Sequence, residues 1–137
     1  MKEEYFNKLL KVLKKCEKND DVPVSAIIVK DEKIISVGYN SRVKKSLTIN
    51  HAEIMAISKA NKKLKNYFLY DCDMYVTLKP CEMCEKVINN ARIRNVYYLL
   101  DKPSFKNEYN KTNYKKVDYP QSEKCHEILR NFFNKIR

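Results

Sequence analysis

Glycine is almost absent: one residue in 137, at position 38. That scarcity leaves no Gly/Ser linker, and with no repeat or low-complexity tract either, the chain reads as a single domain over 1–137. No apolar run reaches the ~20 residues of a membrane span, which excludes a spanning helix. The N-terminus, Met1-Lys2-Glu3-Glu4-Tyr5, lacks the apolar stretch of a secretory signal, so a cytoplasmic location is expected. In that setting five cysteines, an odd count, are expected as reduced thiols or metal ligands rather than as a disulfide framework.

Positive charge is in excess, with 28 Lys and Arg against 17 Asp and Glu, a net charge of +11. Such a surface attracts polyanions, nucleic acid above all. Most of these cations are Lys and Asn is also abundant, a bias that raises charge without any function, so charge alone decides nothing. Apolar residues make up 44% of the chain, enough at this length to bury a core without covalent staples.

The apolar pattern alternates between two periods. Phe6, Leu9, Leu10 and Leu13 predict an amphipathic helix over 2–18. Val22–Val29 and Lys33–Tyr39 predict a hairpin turning at Asp31-Glu32. Helices are expected over 52–64, 81–91 and 122–136, the last with Cys125, Leu129, Phe132, Phe133 and Ile136 on one face. Strands are expected at Asp73–Leu78 and, buried, at Asn95–Leu100, with a further edge strand at Tyr114–Tyr119. Helices alternating with strands imply a layered α/β fold with a parallel element after the hairpin.

The chemistry lies in His51-Ala52-Glu53 and Pro80-Cys81-Glu82-Met83-Cys84. Cys81 and Cys84 are three apart at a predicted helix start, so both sulfurs can point from one face toward one ion. A helix N-terminus favours negative charge and helps to hold two thiolates. Pro80 suits such a start, where a missing N–H costs little. His51 opens another helix and offers one ring nitrogen. One His and two Cys would leave zinc a fourth position for water, as catalytic rather than structural sites do, and the metal makes that water acidic enough to act near neutral pH. Glu53 is then the candidate proton shuttle rather than a ligand. A C-x-x-C pair can also be a redox couple or half of a structural site with Cys16, Cys72, Cys125 or His126 as a fourth ligand. The ordered set of His, Glu, Pro, Cys and Cys, each at a helix start, is far rarer than any of its parts, and it resembles the signature of zinc nucleobase deaminases.

The resemblance extends along nearly the whole chain. Val22-Pro23-Val24-Ser25-Ala26, Gly38-Tyr39-Asn40, Asn66-Tyr67-Phe68-Leu69, Tyr75-Val76-Thr77-Leu78, Ala91-Arg92-Ile93 and Leu129-Arg130-Asn131-Phe132-Phe133 with Arg137 resemble elements of bacterial-type tRNA-specific adenosine deaminases, within the cytidine/deoxycytidylate deaminase superfamily. The resemblance implies a three-layer α/β/α fold with a mixed five-stranded sheet, one zinc ion per chain and a homodimer. It also implies conversion of the wobble adenosine in a tRNA anticodon loop to inosine. It implies that Asn40 contacts the flipped-out nucleoside, an amide being able to donate and accept, although Asn40 can equally be a turn residue closing its strand. Four places depart from the family pattern: Leu47-Thr48-Ile49-Asn50, Lys79, Ser25 and Leu99-Leu100-Asp101-Lys102-Pro103-Ser104. Deamination of a free base, nucleoside or nucleotide on the same fold is the alternative. A non-catalytic partner subunit is a third, which would have no need of Glu53.

Overall fold

The computed structural model describes residues 1–16, 18–101, 111, 113–116 and 118–135. The chain divides into two compact units, Met1–Ser104 and Phe105–Arg137.

The first unit opens with α1 (Glu3–Cys16), with Glu3 and Glu4 in its first turn and Lys14 and Lys15 in its last, both matched to the helix dipole. Its buried face is Tyr5, Leu9, Val12 and Cys16, spaced by four, three and four. Phe6 and Leu10 are exposed, so the stripe is rotated from the expected one: Tyr5 packs its ring at a tilt against the sheet residue Tyr75, centroids 5.0 Å apart, and its hydroxyl donates to the Glu32 carbonyl at 3.1 Å. Strands β1 (Ser25–Lys30) and β2 (Lys33–Tyr39) form the hairpin. Its two central residues, Asp31 and Glu32, both have positive φ, the left-handed pair that suits strand twist at a two-residue turn.

After a short helical turn, α2 (Arg42–Lys45), come α3 (Ala52–Leu64), β3 (Cys72–Leu78), α4 (Glu82–Asn90) and β4 (Asn95–Leu100). The strand order is β2-β1-β3-β4, with β1 antiparallel to both neighbours and β3 parallel to β4. A parallel pair needs a crossover, which α4 supplies. Alternation along the strands sorts the core into two layers. Ala26, Ile28, Met74 and Val76 join Ala52, Ala56, Cys84 and Ile88 on the α3/α4 face. Ile27 and Val29 join Tyr5 and Leu9 on the α1 face. The three layers are as expected, but the sheet has four strands among the described residues rather than five. Asn113–Lys116, Asp118 and Tyr119 are not strand. Polar Lys115 and Lys116 interrupt the alternation that a half-buried strand requires.

Gly38, the only glycine, stands where β2 meets α3. A Cβ there would lie 2.7 Å from the Ala56 nitrogen and also against the Ala52 carbonyl. Those are backbone atoms that cannot swing aside. Beside it, Ser36 Oγ donates to the Ala56 carbonyl at 2.8 Å. Gly38→Ala is therefore expected to destabilise the protein by about 1–3 kcal/mol, as overpacking does, measured by urea unfolding. A change within about 0.5 kcal/mol, the range of an ordinary surface substitution, would contradict the close approach.

In the second unit a 3-10 turn (Pro120–Ser122) leads into α5 (Glu123–Lys135). Glu123 accepts from Arg130 Nη2 at 2.8 Å, and Phe132 and Phe133 meet edge to face at 5.5 Å. Ile136, Arg137 and Lys102–Ser104, which entered the sequence argument, lie outside the described residues. No helix among the described residues is long and apolar enough to cross a membrane.

Candidate metal centre and active site

Two helices begin at one point. His51 is the N-cap of α3 and Cys81 the N-cap of α4, both with extended backbone and neither capping its own helix with its side chain. Those side chains are thus released from local duty and turn toward each other. His51 Nδ1 lies 3.4 Å from Cys84 Sγ and 3.8 Å from Cys81 Sγ. The three donor atoms lie within 4.8 Å of one another, a group that could hold a metal ion.

Asn40 does the capping that His51 does not. Its Oδ1 accepts the Ala52 N–H at 2.8 Å, at the first turn of α3. Its Nδ2 donates to the Val22 carbonyl at 2.9 Å, and its backbone N–H to the Val24 carbonyl at 3.1 Å. The amide ties the end of β2 to the start of α3 and keeps one N–H and one lone pair for another partner.

The electrostatics suit a cation. Burial holds the His51 imidazole below its ordinary pKa, and the Arg42 guanidinium adds to the effect, which favours the neutral ring that can ligate a metal. Burial pushes the Cys84 thiol far up, with Glu53 and Cys81 adding repulsion. Thiolates at such a spot need a positive charge to form, and two sulfurs with one imidazole nitrogen are the donor set that zinc prefers. Glu53 sits in the first turn of α3, only 4% exposed. Burial raises its carboxyl pKa, against hydrogen bonds from its own N–H and from Cys84. A raised proton affinity suits a carboxyl that has to take up and give back a proton.

His51, Glu53 and Cys81 line a cavity of about 510 Å³ together with Asn40, Arg42, Leu47, Thr48 and Lys79. A pocket of that size accommodates a nucleoside. The departures from the family pattern separate here. Leu47, Thr48 and Lys79 are pocket wall. Lys79 donates its backbone N–H to Leu100, and its ammonium lies 5.8 Å from the Tyr98 ring. Ser25 is buried elsewhere, its Oγ donating to the Leu9 carbonyl at 2.7 Å and its N–H to Thr77 Oγ1 at 3.1 Å, so that hydroxyl fastens α1 to the sheet. Cys16 and Cys72 are core residues and Cys125 belongs to α5; among the described residues none joins the metal group. His126 pairs with Glu123 at 3.6 Å on α5.

Three contributors were given no structural role in the site from the sequence. Asp21 accepts N–H bonds from the turn at Val43 and Lys44. Buried Ser41 and Asn50 close the loop before His51, through Asn50 Nδ2 to Ser41 Oγ at 3.2 Å and Ser41 N–H to the Asn50 carbonyl at 3.0 Å. Their only sequence signal is a small polar residue in a loop, which turns share.

A family model described as MafB19-like deaminase matches residues 1–137. The chain is 37% identical over 148 residues to a tRNA-specific adenosine deaminase of Buchnera aphidicola, covering 99% of this chain and 97% of that protein. It is 36% identical over 153 residues to the one from Aquifex aeolicus, covering 100% and 97%. A solved structure from studies of A-to-I editing by tRNA:A34 deaminases superposes with a TM-score of 0.72 at 33% identity, over 75% of each chain. A Bacillus subtilis guanine deaminase gives a TM-score of 0.79 at 27% identity, over 96% of this chain and 95% of that one.

Proposed function

The chain belongs to the MafB19-like deaminase family, and on that premise we propose that it hydrolyses the exocyclic amine of adenosine at the wobble position of tRNA, giving inosine and ammonia. The observation that carries the reading is Glu53 buried beside the His51, Cys81 and Cys84 group at the base of a nucleoside-sized pocket. The full-length relatives in Buchnera and Aquifex supply the substrate class.

His51, Cys81 and Cys84 would hold zinc, which supplies the charge that makes a water acidic near neutral pH. Glu53 takes the two protons of the attacking water in turn, giving one to the ring nitrogen as the C–O bond forms and the other to the departing amine as the C–N bond breaks. Asn40 orients the base with the donor and acceptor left after it caps α3. Leu47, Val22 and Val43 supply apolar wall that excludes water from the base. An unpaired loop base reaches such a pocket at low cost, because little pairing is lost. Arg42 and Lys79 at the wall suit the phosphates that flank it. The same reading makes the enzyme a cytoplasmic homodimer, to be checked by its sedimentation mass.

A second reading, deamination of free guanine, is favoured by the overlap with the Bacillus subtilis enzyme over nearly the whole chain. Salt separates the two. Phosphate contacts release counterions, so KM for an anticodon stem-loop is expected to rise steeply between about 50 and 200 mM salt. A salt-independent KM, with guanine turned over in preference, would favour the second reading.

A further inference from the structure

One wall of the pocket has no hydrophobic hold. Helix α2 is four residues long, none of them buried, and its N-cap Ser41 makes no side-chain cap. Val43, Leu47 and Ile49 are exposed. So short a helix does not persist by its own hydrogen bonds. Yet Arg42, Val43, Ser46, Leu47 and Thr48 line the pocket, and a substrate meets a defined surface there only if something else fixes the turn.

The remaining candidates are polar, and one comes from outside the segment. Asp21 is 7% exposed. Its Oδ1 accepts the Val43 N–H at 2.8 Å and its Oδ2 the Lys44 N–H at 3.4 Å. Those N–H groups are the second and third donors of α2, the pair that an N-cap side chain would otherwise satisfy. A buried carboxylate has lost its water and depends on such donors. The bonds are therefore mutually necessary: without Asp21 the turn loses its cap, and without the turn Asp21 is stranded.

We propose that Asp21 is a positioning residue for the reaction, holding the 42–48 wall of the pocket in place by capping α2 from a separate loop. This rests on the reading that the pocket receives the substrate base. Asp21 acts on binding rather than on proton transfer, because His51, Glu53, Cys81 and Cys84 are carried by α3 and α4, and Asn40 caps α3 through an oxygen that makes no bond to Asp21.

The test uses the full metal-loaded chain with Asp21→Ala and Asp21→Asn. The Asn side chain keeps one acceptor for Val43, so it retains part of the cap and serves where the Ala variant folds poorly. In Asp21→Ala, amide exchange at Val43 and Lys44 is expected to speed up about tenfold or more, as loss of a cap allows, while β1 and β3 stay protected. KM for the compound the parent enzyme turns over, stem-loop or free base, should rise about tenfold with kcat within about twofold and metal content unchanged. Asp21→Asn should fall between. The exchange measurement needs no substrate, so an error in the substrate assignment leaves it intact. Unchanged exchange at Val43 and Lys44 would overturn the proposal. So would a fall in kcat or metal content with KM unmoved.

Discussion

Glu53→Ala is expected to keep its metal and lose turnover by on the order of a thousandfold, within the range for removing a positioned general acid–base group. The carboxylate is not needed to complete the ligand group, since the His51, Cys81 and Cys84 donors already converge within 4.8 Å. It is buried beside Cys84 and its proton affinity is raised by that burial, which suits a group that must take and return protons. Glu53→Gln keeps the shape and hydrogen-bonding length while abolishing proton exchange, and separates chemistry from packing. Both variants should bind substrate with near-parental KM while kcat collapses. Metal content by elemental analysis is the companion measurement. A variant that loses metal, with residual activity tracking occupancy, would make Glu53 a ligand and sink the shuttle assignment.

Cys84→Ala is expected to lose both the metal and a large part of the stability. Cys84 is fully buried and belongs to the core cluster as well as to the metal group. A bound ion ties α3 to α4, and its binding free energy adds to folding. At a free metal concentration a thousand times Kd the contribution is about 4 kcal/mol. The linkage gives a clean diagnostic. A strong chelator should lower the Tm of the parent protein, and should leave that of Cys84→Ala unmoved. Full occupancy in the variant would show that the ligand set is wrong.

How much of this was legible beforehand depended on range. The residues whose chemistry is local stood out: His51 and Glu53 two apart, Cys81 and Cys84 three apart, each at a helix start that the apolar spacing marks. Their convergence, though, is a product of the fold, since it needs β2 and β3 to end at one place and α3 and α4 to begin there. The hairpin turn at Asp31-Glu32 and the bounds of the strand at Asn95–Leu100 were legible locally, and the structure has them at those places, but that strand, expected to be buried, is exposed along most of its length. The buried stripe of α1 did not follow, because Phe6 and Tyr5 are both apolar enough and only long-range contacts, Tyr5 with Tyr75 and with the Glu32 carbonyl among them, select between them. The fifth strand was expected from a segment whose tyrosines suggest β structure but whose lysines deny it a buried face. Asp21 and Asn50 were invisible for another reason. Each acts through a hydrogen bond to a residue nine or more positions away, Asp21 to the Val43 N–H and Asn50 to the Ser41 hydroxyl, and no short-range pattern encodes that.

Resemblance added what spacing could not, the substrate class, and there the divergent wall at Leu47, Thr48 and Lys79 matters most. The candidate metal residues of this chain resemble the deaminase pattern, so the departures bear on which amine is removed rather than on how.

The most direct test is nucleoside analysis of a tRNA bearing an unmodified wobble adenosine, after incubation with the metal-loaded enzyme. Free adenosine, guanine, cytosine and deoxycytidylate are assayed in parallel. The account predicts inosine in the tRNA, at the wobble position alone, no turnover of the free compounds, and no inosine with Glu53→Ala. Ammonia released from a free compound while the tRNA stays unmodified would contradict it.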